Sequence, residues 1–315
     1  MSAVERLGLQ REVQATEVSA AQAQTEEAFG FKWAKRDTYE SPAVQEASRN
    51  WLLERYCGGD PSVLEDWLAG ERKLIVDAGC GAGHSALLLF GERLRAHDYL
   101  GVDISSAVNV ARQRFSERGI PGDFLRHDLA TMPIPDESVD LMFSEGVLHH
   151  TDSTEVSVKA LARKVRPGGR LAFYVYAKKA IIREFTDDHI RASLQDLSDS
   201  QAWSALIPLT KLGIALGELQ TNIEVPEDIP FLGIKKGPLD LQRFFYWNIC
   251  KLYYRPDWTL DEMNHINFDW FRPMNCHRQT PEQVRRWCED IGFIVERFDL
   301  QDAGITVVAL RPKKG

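Results

Sequence analysis

Three glycines within five positions follow a short apolar run that ends on an acid, in the stretch LIVDAGCGAGHSA at residues 74–86. Glycine loses more backbone freedom on folding than any other residue, so this density is costly unless the backbone must turn sharply or approach another group. A strand, a glycine-rich turn and a helix present backbone N–H groups and the positive end of the helix to a ligand. The stretch therefore predicts a ligand-binding turn between a strand and a helix.

Short apolar runs then alternate with segments of helical spacing as far as residue 176. The runs are LIVDAG, YLGVDI, GDFLRHDL, VDLMFSEG and RLAFYVY. Such alternation indicates βαβ units that form a parallel sheet with helices on both faces. Near the C-terminus, Thr280 and Gln283 predict a capping box at the start of a helix, and FIVERFDL and ITVVALRP predict an antiparallel hairpin.

Composition excludes several classes of protein. The net charge of −8 over 315 residues argues against a dedicated nucleic-acid-binding protein. Five cysteines without a CxxC pair indicate neither a disulfide framework nor a structural zinc site, so we expect no metal. The N-terminus carries charges where a signal peptide would be apolar, and no apolar window is long enough to span a membrane. We therefore expect a soluble cytoplasmic protein with no nucleic-acid partner.

Two classes of cofactor compete for the glycine turn. The dinucleotide fingerprint is GxGxxG, whereas Gly79, Gly81 and Gly83 give GxGxG, and His84 stands where the last glycine would be. This mismatch disfavours a NAD-dependent oxidoreductase, which stays open as an alternative. With Asp77 at the end of the strand, VDAGCGAG instead resembles the first motif of class I S-adenosylmethionine-dependent methyltransferases.

The resemblance recurs in order along residues 73–176 and 280–315, in YLGVDIS, RHDLATMPIPDESVD, SEGVLHH, KVRPGGRLAFYVY and the final hairpin. It implies an α/β fold with a Rossmann-like, doubly wound, seven-stranded sheet of order 3214576 and an antiparallel last strand. It places the cofactor-binding core at residues 73–177 and 278–315. We expect residues 1–72 to form an N-terminal helical arm or lid, and residues 178–277 to form a helical cap that binds the substrate.

The resemblance also implies S-adenosyl-L-methionine as the cofactor. In the family pattern, Asp77 accepts from the methionine ammonium, Asp103 accepts from the ribose hydroxyls, Asp128 accepts from the adenine amino group and the Leu129 N–H meets a ring nitrogen. Trp33, in FGFKWAK, would fold over the sulfonium, for which an aromatic face is suited. The predicted cofactor-binding set is Trp33, Asp77, Gly79, Cys80, Gly81, Gly83, Asp103, Ile104, Asp128, Leu129 and Ser144.

Candidate catalytic and substrate residues follow the fourth and fifth strands and lie in the cap. Open α/β sheets bind ligands beyond the carboxyl ends of their strands, and a protonated acceptor needs a base. His149 is the preferred base because imidazole titrates near neutral pH, and Glu145 and His150 are the other catalytic candidates. Alternatively, one of the two histidines only packs or caps a loop. The predicted substrate residues are Tyr176, Lys178, Asp269, Trp270, Arg272 and His277.

Two further expectations concern the cap. In IIREFTDDHIR, Arg183, Asp187 and Arg191 are spaced four residues apart, which predicts a solvated, salt-bridged helix face. The apolar stripe of LIPLTKLGIALGEL fits either a homodimer or a partner within the chain.

Together these patterns predict an enzyme that methylates a nitrogen or oxygen atom of a small molecule in specialised biosynthesis. The alternatives are a C-methyltransferase of a quinone-like or lipid-like acceptor, and a non-catalytic assembly protein that binds S-adenosylmethionine.

Overall fold

The computed structural model describes residues 2–9 and 18–313, so Met1 and residues 10–17 of the predicted arm and residues 314–315 of the predicted core lie outside the described residues. The helices are α1 Ala3–Leu7, α2 Ala20–Ala34, α3 Pro42–Cys57, α4 Ser62–Leu68, α5 His84–Leu89, α6 Ala107–Glu117, α7 Thr154–Lys164, α8 Ile181–Ser193, α9 Asp199–Glu218, α10 Leu241–Asn248, α11 Leu260–Phe271 and α12 Pro281–Ile291. The strands are β1 Leu74–Ala78, β2 Asp98–Asp103, β3 Asp123–Arg126, β4 Val139–Glu145, β5 Val165–Tyr176, β6 Asn222–Val225, β7 Gly237–Asp240, β8 Ile294–Leu300 and β9 Gly304–Leu310.

Seven strands form one sheet in the order β3-β2-β1-β4-β5-β9-β8. Strands β1 to β5 are parallel, and β9 runs antiparallel to both β5 and β8. This arrangement confirms the predicted doubly wound sheet, its order 3214576 and its antiparallel last strand. The order reverses between β1 and β4, and such a switch point leaves a crevice at the carboxyl ends of the strands.

Both faces of the sheet are buried, as a parallel sheet requires. Leu74 and Val76 of β1 belong to a cluster with Val284 and Trp287 of α12, whereas Ile75 joins a second cluster on the other face. The predicted capping box of α12 is confirmed, because the Thr280 side chain accepts from the Gln283 N–H and the Gln283 side chain accepts from the Thr280 N–H.

The segment between β5 and α12 forms a cap of four helices and the antiparallel hairpin β6–β7. Its apolar cluster contains Trp203 of α9 and Phe268 of α11, together with Ala28 and the partly buried Phe31 of α2. The N-terminal helix α2 and the cap therefore share one core. The domain boundaries 1–72, 178–277 and the two core segments stay a prediction.

No helix within residues 2–9 and 18–313 combines the length and the apolar character needed to cross a bilayer. The five cysteines are free thiols. Residues 2–9 and 18–313 contain no group of His, Cys, Asp and Glu side chains arranged to hold a metal ion.

We predict that Gly79→Ala destabilises the fold more than Gly70→Ala. Both glycines have positive φ, +85° at Gly79 and +86° at Gly70, so both variants carry the strain of a left-handed backbone, about 1–2 kcal/mol. A Cβ at Gly79 would in addition lie 2.2 Å from Cγ1 of Val147 and 2.7 Å from its Cβ, whereas a Cβ at Gly70 meets nothing within 4 Å.

Overpacking at Gly79 should lower the free energy of unfolding, measured by urea denaturation, by about 2 kcal/mol beyond the Gly70→Ala value. Equal losses in the two variants would show that Val147 does not constrain the turn.

Candidate active site

A cavity of about 480 Å³ opens at the carboxyl ends of the central strands, beneath α2, α3 and the cap. Of the predicted site residues, those that line it are Trp33, Asp77, Gly79, Cys80, Asp103, Ile104, Asp128, Leu129, Glu145, His150, Tyr176, Asp269 and Trp270. The predicted residues outside its lining are Gly81, Gly83, Ser144, His149, Lys178, Arg272 and His277.

The glycine turn is pulled onto the end of β2. The N–H groups of Gly79 and Cys80 both donate to the carbonyl of Val102, at 2.7 and 3.0 Å. A Cβ at Gly81 would lie 2.6 Å from Nε1 of Trp33, and one at Gly83 would lie 2.7 Å from Phe115. Gly81 and Gly83 therefore allow close packing around the cavity, and Gly79 brings bare backbone to its wall.

The acids at the ends of β1 and β2 are buried and oriented by hydrogen bonds. Asp77 Oδ2 accepts from the Tyr99 hydroxyl at 2.8 Å, and burial raises the pKa of Asp77 to about 7. Asp103 Oδ2 accepts from the Gly81 N–H at 2.8 Å, and its Oδ1 accepts from the N–H and hydroxyl of Ser105 at 2.8 and 2.7 Å. Burial raises the pKa of Asp103 as well. A cationic or hydroxyl-bearing ligand would stabilise the ionised form of both acids, because it supplies the donors that burial removes.

The next two strands complete this end of the cavity. Asp128 and Leu129 follow β3 and line it. Ser144 is buried in β4, where its hydroxyl donates to the carbonyl of Ala78 at 2.8 Å. This bond ties β4 to β1, and the contact of Ser144 with the cofactor stays a prediction.

Glu145 is held by α3 at the end of β4. It forms an ion pair with Arg55, and the Tyr56 hydroxyl donates to its Oε2 at 2.6 Å. The guanidinium of Arg55 stacks between Trp51 and Tyr174, with ring centres 3.2 and 3.5 Å from its central carbon. Glu145 thus faces the cavity with both oxygens already engaged, which suits it to shape the wall rather than to move a proton.

The two adjacent histidines differ in what they face. His149 is fully buried and stacks on Tyr176 with ring centres 3.6 Å apart, and within the described residues neither ring nitrogen has a hydrogen-bond partner. His149 does not line the cavity, and this argues against its predicted role as the base. His150 lines the cavity, and its Nδ1 lies 2.6 Å from the carbonyl of Asn275. Because a carbonyl only accepts, Nδ1 carries the proton and Nε2 keeps its lone pair.

The predicted substrate residue Asp269 joins the cap to the arm and to the core. Asp269 forms an ion pair with Lys32 of α2 and accepts from the Tyr176 hydroxyl at 2.7 Å. The Lys32 cation lowers the pKa of Asp269 against the effect of burial. Trp270 donates from Nε1 to Asp187 at 2.8 Å. These contacts place Tyr176, Asp269 and Trp270 on the wall shared by core and cap.

Two predicted substrate residues, Arg272 and His277, contact neighbouring segments and do not line the cavity. Arg272 pairs with Asp199 at 2.6 Å and donates to the carbonyls of Leu194 and Leu197, which fixes the end of α8 against the start of α9. His277 contacts the Thr151 carbonyl through Nε2 at 3.0 Å. Lys178 lies outside the lining, and its neighbour Lys179 lines the cavity. The predictions for Arg272 and His277 were based on the mixture of charged and aromatic residues in the sequence. That mixture does not distinguish residues that line the cavity from residues that connect structural elements.

The predicted set of site residues does not include the cations of the cap that line the cavity. Lys179, Arg183 and Lys251 line the cavity together with Tyr246 and Trp247. The expected solvated face of α8 is wrong, because the Arg183–Asp187 pair has side chains only 1% exposed. Packing of α10 and α11 against α8 covers this face. The only signal in the sequence was the neighbouring aromatic segment RFFYWN, which supplies the covering helix.

Comparison with known proteins finds similarity to methyltransferases over part of the chain. Residues 76–173 match the family model described as "Methyltransferase domain". The chain is 26% identical over 144 residues to a malonyl-[acyl-carrier protein] O-methyltransferase of Yersinia pestis, which covers 45% of this chain and 49% of the relative. It is 30% identical over 129 residues to a fatty-acid O-methyltransferase of Mycolicibacterium smegmatis, covering 41% of this chain and 46% of the relative.

The chain thus spans about half the length of these curated relatives. Among solved structures, a SAM-dependent methyltransferase from Aquifex aeolicus aligns over 89% of this chain and 98% of its own, with 16% identity and a TM-score of 0.46.

Residues 76–173, which include the glycine turn, are thus similar to a methyltransferase domain, and the sheet order agrees with the fold that this similarity implies. The resemblance of the glycine turn and its acids to S-adenosylmethionine-dependent methyltransferases implies S-adenosylmethionine as the cofactor. The residues present fit this molecule, because bare backbone at Gly79 and the oriented acids Asp77 and Asp103 meet at one end of the cavity.

We predict that Asp103→Asn weakens the binding of S-adenosylhomocysteine about ten- to a hundredfold, because a hydrogen bond to a charged acceptor contributes about 1.5–3 kcal/mol. Isothermal titration calorimetry measures the dissociation constant. Asp98→Asn, at the opposite end of β2, is the control: Asp98 pairs with Arg6 and Arg72 away from the cavity. An equal loss of affinity in both variants would place the ligand elsewhere.

Proposed function

We propose that this protein transfers the methyl group of S-adenosylmethionine to an oxygen or nitrogen atom of a small molecule bound between core and cap. One observation carries the proposal: the cavity runs from the acids at the ends of β1 and β2 into an aromatic chamber that includes Tyr176 and Trp270. A volume of about 480 Å³ lies in the range of small-molecule sites.

An oxygen atom is the favoured acceptor. The relatives from Yersinia pestis and Mycolicibacterium smegmatis are both named as O-methyltransferases. Their names support transfer to oxygen over transfer to nitrogen, and over the alternative of a carbon acceptor. The enclosed aromatic chamber and the net charge of −8 favour a small molecule over a nucleic acid, whose recognition uses exposed cationic surface.

The cofactor supplies an activated methyl group on a sulfonium, so the chain has to position the acceptor, exclude water and handle its proton. Asp77 and Asp103 hold the cofactor end, and the rings of Tyr176 and Trp270 exclude water at the acceptor end. We assign the base role to His150 rather than His149. The protonated Nδ1 of His150 is fixed by the carbonyl of Asn275. Its Nε2, which has no hydrogen-bond partner within the described residues, can accept a proton from an acceptor hydroxyl.

Transfer of label from methyl-labelled S-adenosylmethionine tests the proposal. The purified protein is incubated with an extract of its source cells, and label is followed in the small-molecule, protein and RNA fractions. We expect label in the small-molecule fraction, and much less with Asp103→Asn. Label confined to RNA or protein would contradict the proposed acceptor class. Saturable NAD binding without S-adenosylmethionine binding would favour the oxidoreductase, and cofactor binding without any transfer would favour the assembly protein.

We predict that His150→Phe lowers kcat about a hundredfold or more, the usual contribution of a positioned base, without changing the affinity for S-adenosylhomocysteine. His149→Phe is the matched control, because a phenyl ring can keep the stack on Tyr176, and it should change kcat less than about tenfold. The reverse ranking would restore His149 as the base.

The pH profile of kcat provides an independent readout. Burial lowers the pKa of His150 to about 4, so this imidazole is neutral above that pH and protonated below it. We therefore expect no acid limb near the ordinary histidine pKa of about 6.5. A limb at that pH that disappears in His150→Phe would contradict the lowered pKa of His150, but not its role as the base.

The apolar stripe of α9 leaves Leu212 and Leu219 exposed, at 48% and 58%. This exposure supports the possible homodimer, which stays a proposal alongside the expected cytoplasmic location.

A further inference from the structure

Three cations of the cavity lining lie around one indole ring at the far end of the cavity, and the buried Arg191 lies 5.9 Å from the same ring centre. Lys179 follows β5, Arg183 lies on α8 and Lys251 follows α10, and all three line the cavity. Lys179 Nζ, Arg183 Cζ and Lys251 Nζ lie 5.7, 5.3 and 4.9 Å from the ring centre of Trp270. Like charges gathered in a buried space repel one another strongly, so such a cluster is costly without a counter-charge.

The carboxylates nearby neutralise only part of this charge. Asp187 Oδ2 accepts from Arg183 Nε at 3.1 Å and from Trp270 Nε1 at 2.8 Å, and its Oδ1 accepts from the backbone N–H of Lys251 at 3.1 Å. Asp269 forms its ion pair with Lys32. Asp187 therefore fixes the geometry of the cluster and offsets the charge of Arg183, while within the described residues neither lysine ammonium forms a direct ion pair with a carboxylate.

Arg183 and Lys179 each have a donor that the contacts within the described residues leave unused. Arg183 Nη1 is buried and has no hydrogen-bond partner within the described chain, and the side chain is only 1% exposed. Lys179 Nζ donates to the carbonyls of Asp302 and Ala303, both at 2.6 Å, and an ammonium has a third N–H to offer. A buried donor without an acceptor is costly, and a ligand oxygen in the cavity would satisfy it.

The excess of positive charge in this cluster also affects the pKa values of the two lysines. Burial lowers the pKa of Lys179 to about 7 and that of Lys251 to about 8, and the Arg183 cation contributes to both shifts. An anion bound among them would favour the charged form of each lysine, because an opposite charge nearby stabilises it.

We propose that Lys179, Arg183 and Lys251 form an oxyanion subsite that binds a carboxylate or phosphate group of the methyl acceptor. Tyr246, Trp247 and Trp270 pack on the apolar part beside that group. This inference rests on the proposed function, because it takes the cap end of the cavity to be the acceptor end. The cavity then separates charge along its length, with acids around the cationic cofactor and cations around the anionic acceptor.

Calorimetry with small aromatic anions tests the subsite on the full chain saturated with S-adenosylhomocysteine. The probes are benzoate, phenyl phosphate and the uncharged benzamide. We expect at least one anion to bind at least tenfold more tightly than benzamide, and Lys251→Met and Arg183→Gln each to weaken that anion at least tenfold. Preference for benzoate identifies a carboxylate, and preference for phenyl phosphate identifies a phosphate; both outcomes support the subsite.

Lys35→Met is the matched control. Lys35 Nζ also lies over an indole, 4.6 Å from the ring centre of Trp203, but Lys35 is not part of the cavity lining. It should leave anion binding unchanged. Without any anion, Lys251→Met should raise Tm relative to the wild type because it removes an unneutralised buried charge, and Lys35→Met should not.

Anion affinity no greater than that of benzamide, or unchanged by both cap variants, would overturn the subsite. A fall in Tm with Lys251→Met would also count against it, because the lysine would then already be neutralised within the protein. Binding of S-adenosylhomocysteine, measured first, separates the two claims: its absence contradicts the proposed function, and its presence without anion binding contradicts only the subsite.

Discussion

The paired donation from Gly79 and Cys80 to the carbonyl of Val102 is the constraint on which the site depends. It folds the chain back over the end of β2 as soon as β1 ends, with Gly79 at φ +85° against Val147. A side chain at that position would collide with Val147 and push the loop after β4 away. The turn therefore keeps the ends of β1, β2 and β4 close together, so that Asp77, Asp103 and Glu145 share one cavity wall.

The cavity is closed by parts of the chain that are far apart in sequence. Helix α2 contributes Lys32 to the pair with Asp269 of α11, and Ala28 of α2 belongs to the apolar cluster of the cap. Opening the cap would therefore require the arm to separate from it or to move with it. Trp33, a predicted cofactor contact, and Trp270, a predicted substrate contact, each directly follow one member of the Lys32–Asp269 pair in the sequence.

The sequence predicted the sheet well because each strand and its glycine or acid are encoded within a few residues. The α12 capping box and the positions of Asp77 and Asp103 on the cavity follow from such local patterns, whereas the order of the strands was implied by the family resemblance. The cap could not be predicted in the same way. Whether Arg183 and Asp187 face solvent depends on α10 and α11, and whether His149 or His150 faces the cavity depends on a single short turn. Arg272 and His277 were chosen by composition, and the structure uses them to connect elements.

The most direct test of the account is a crystal structure of the protein with S-adenosylhomocysteine. We expect the ribose at Asp103, the amino-acid portion beside Gly79 and Asp77, and the sulfur facing the space bounded by His150, Tyr176 and Trp270. Electron density that places the nucleoside among Lys179, Arg183 and Lys251, or that directs the sulfur away from the cap, would contradict it.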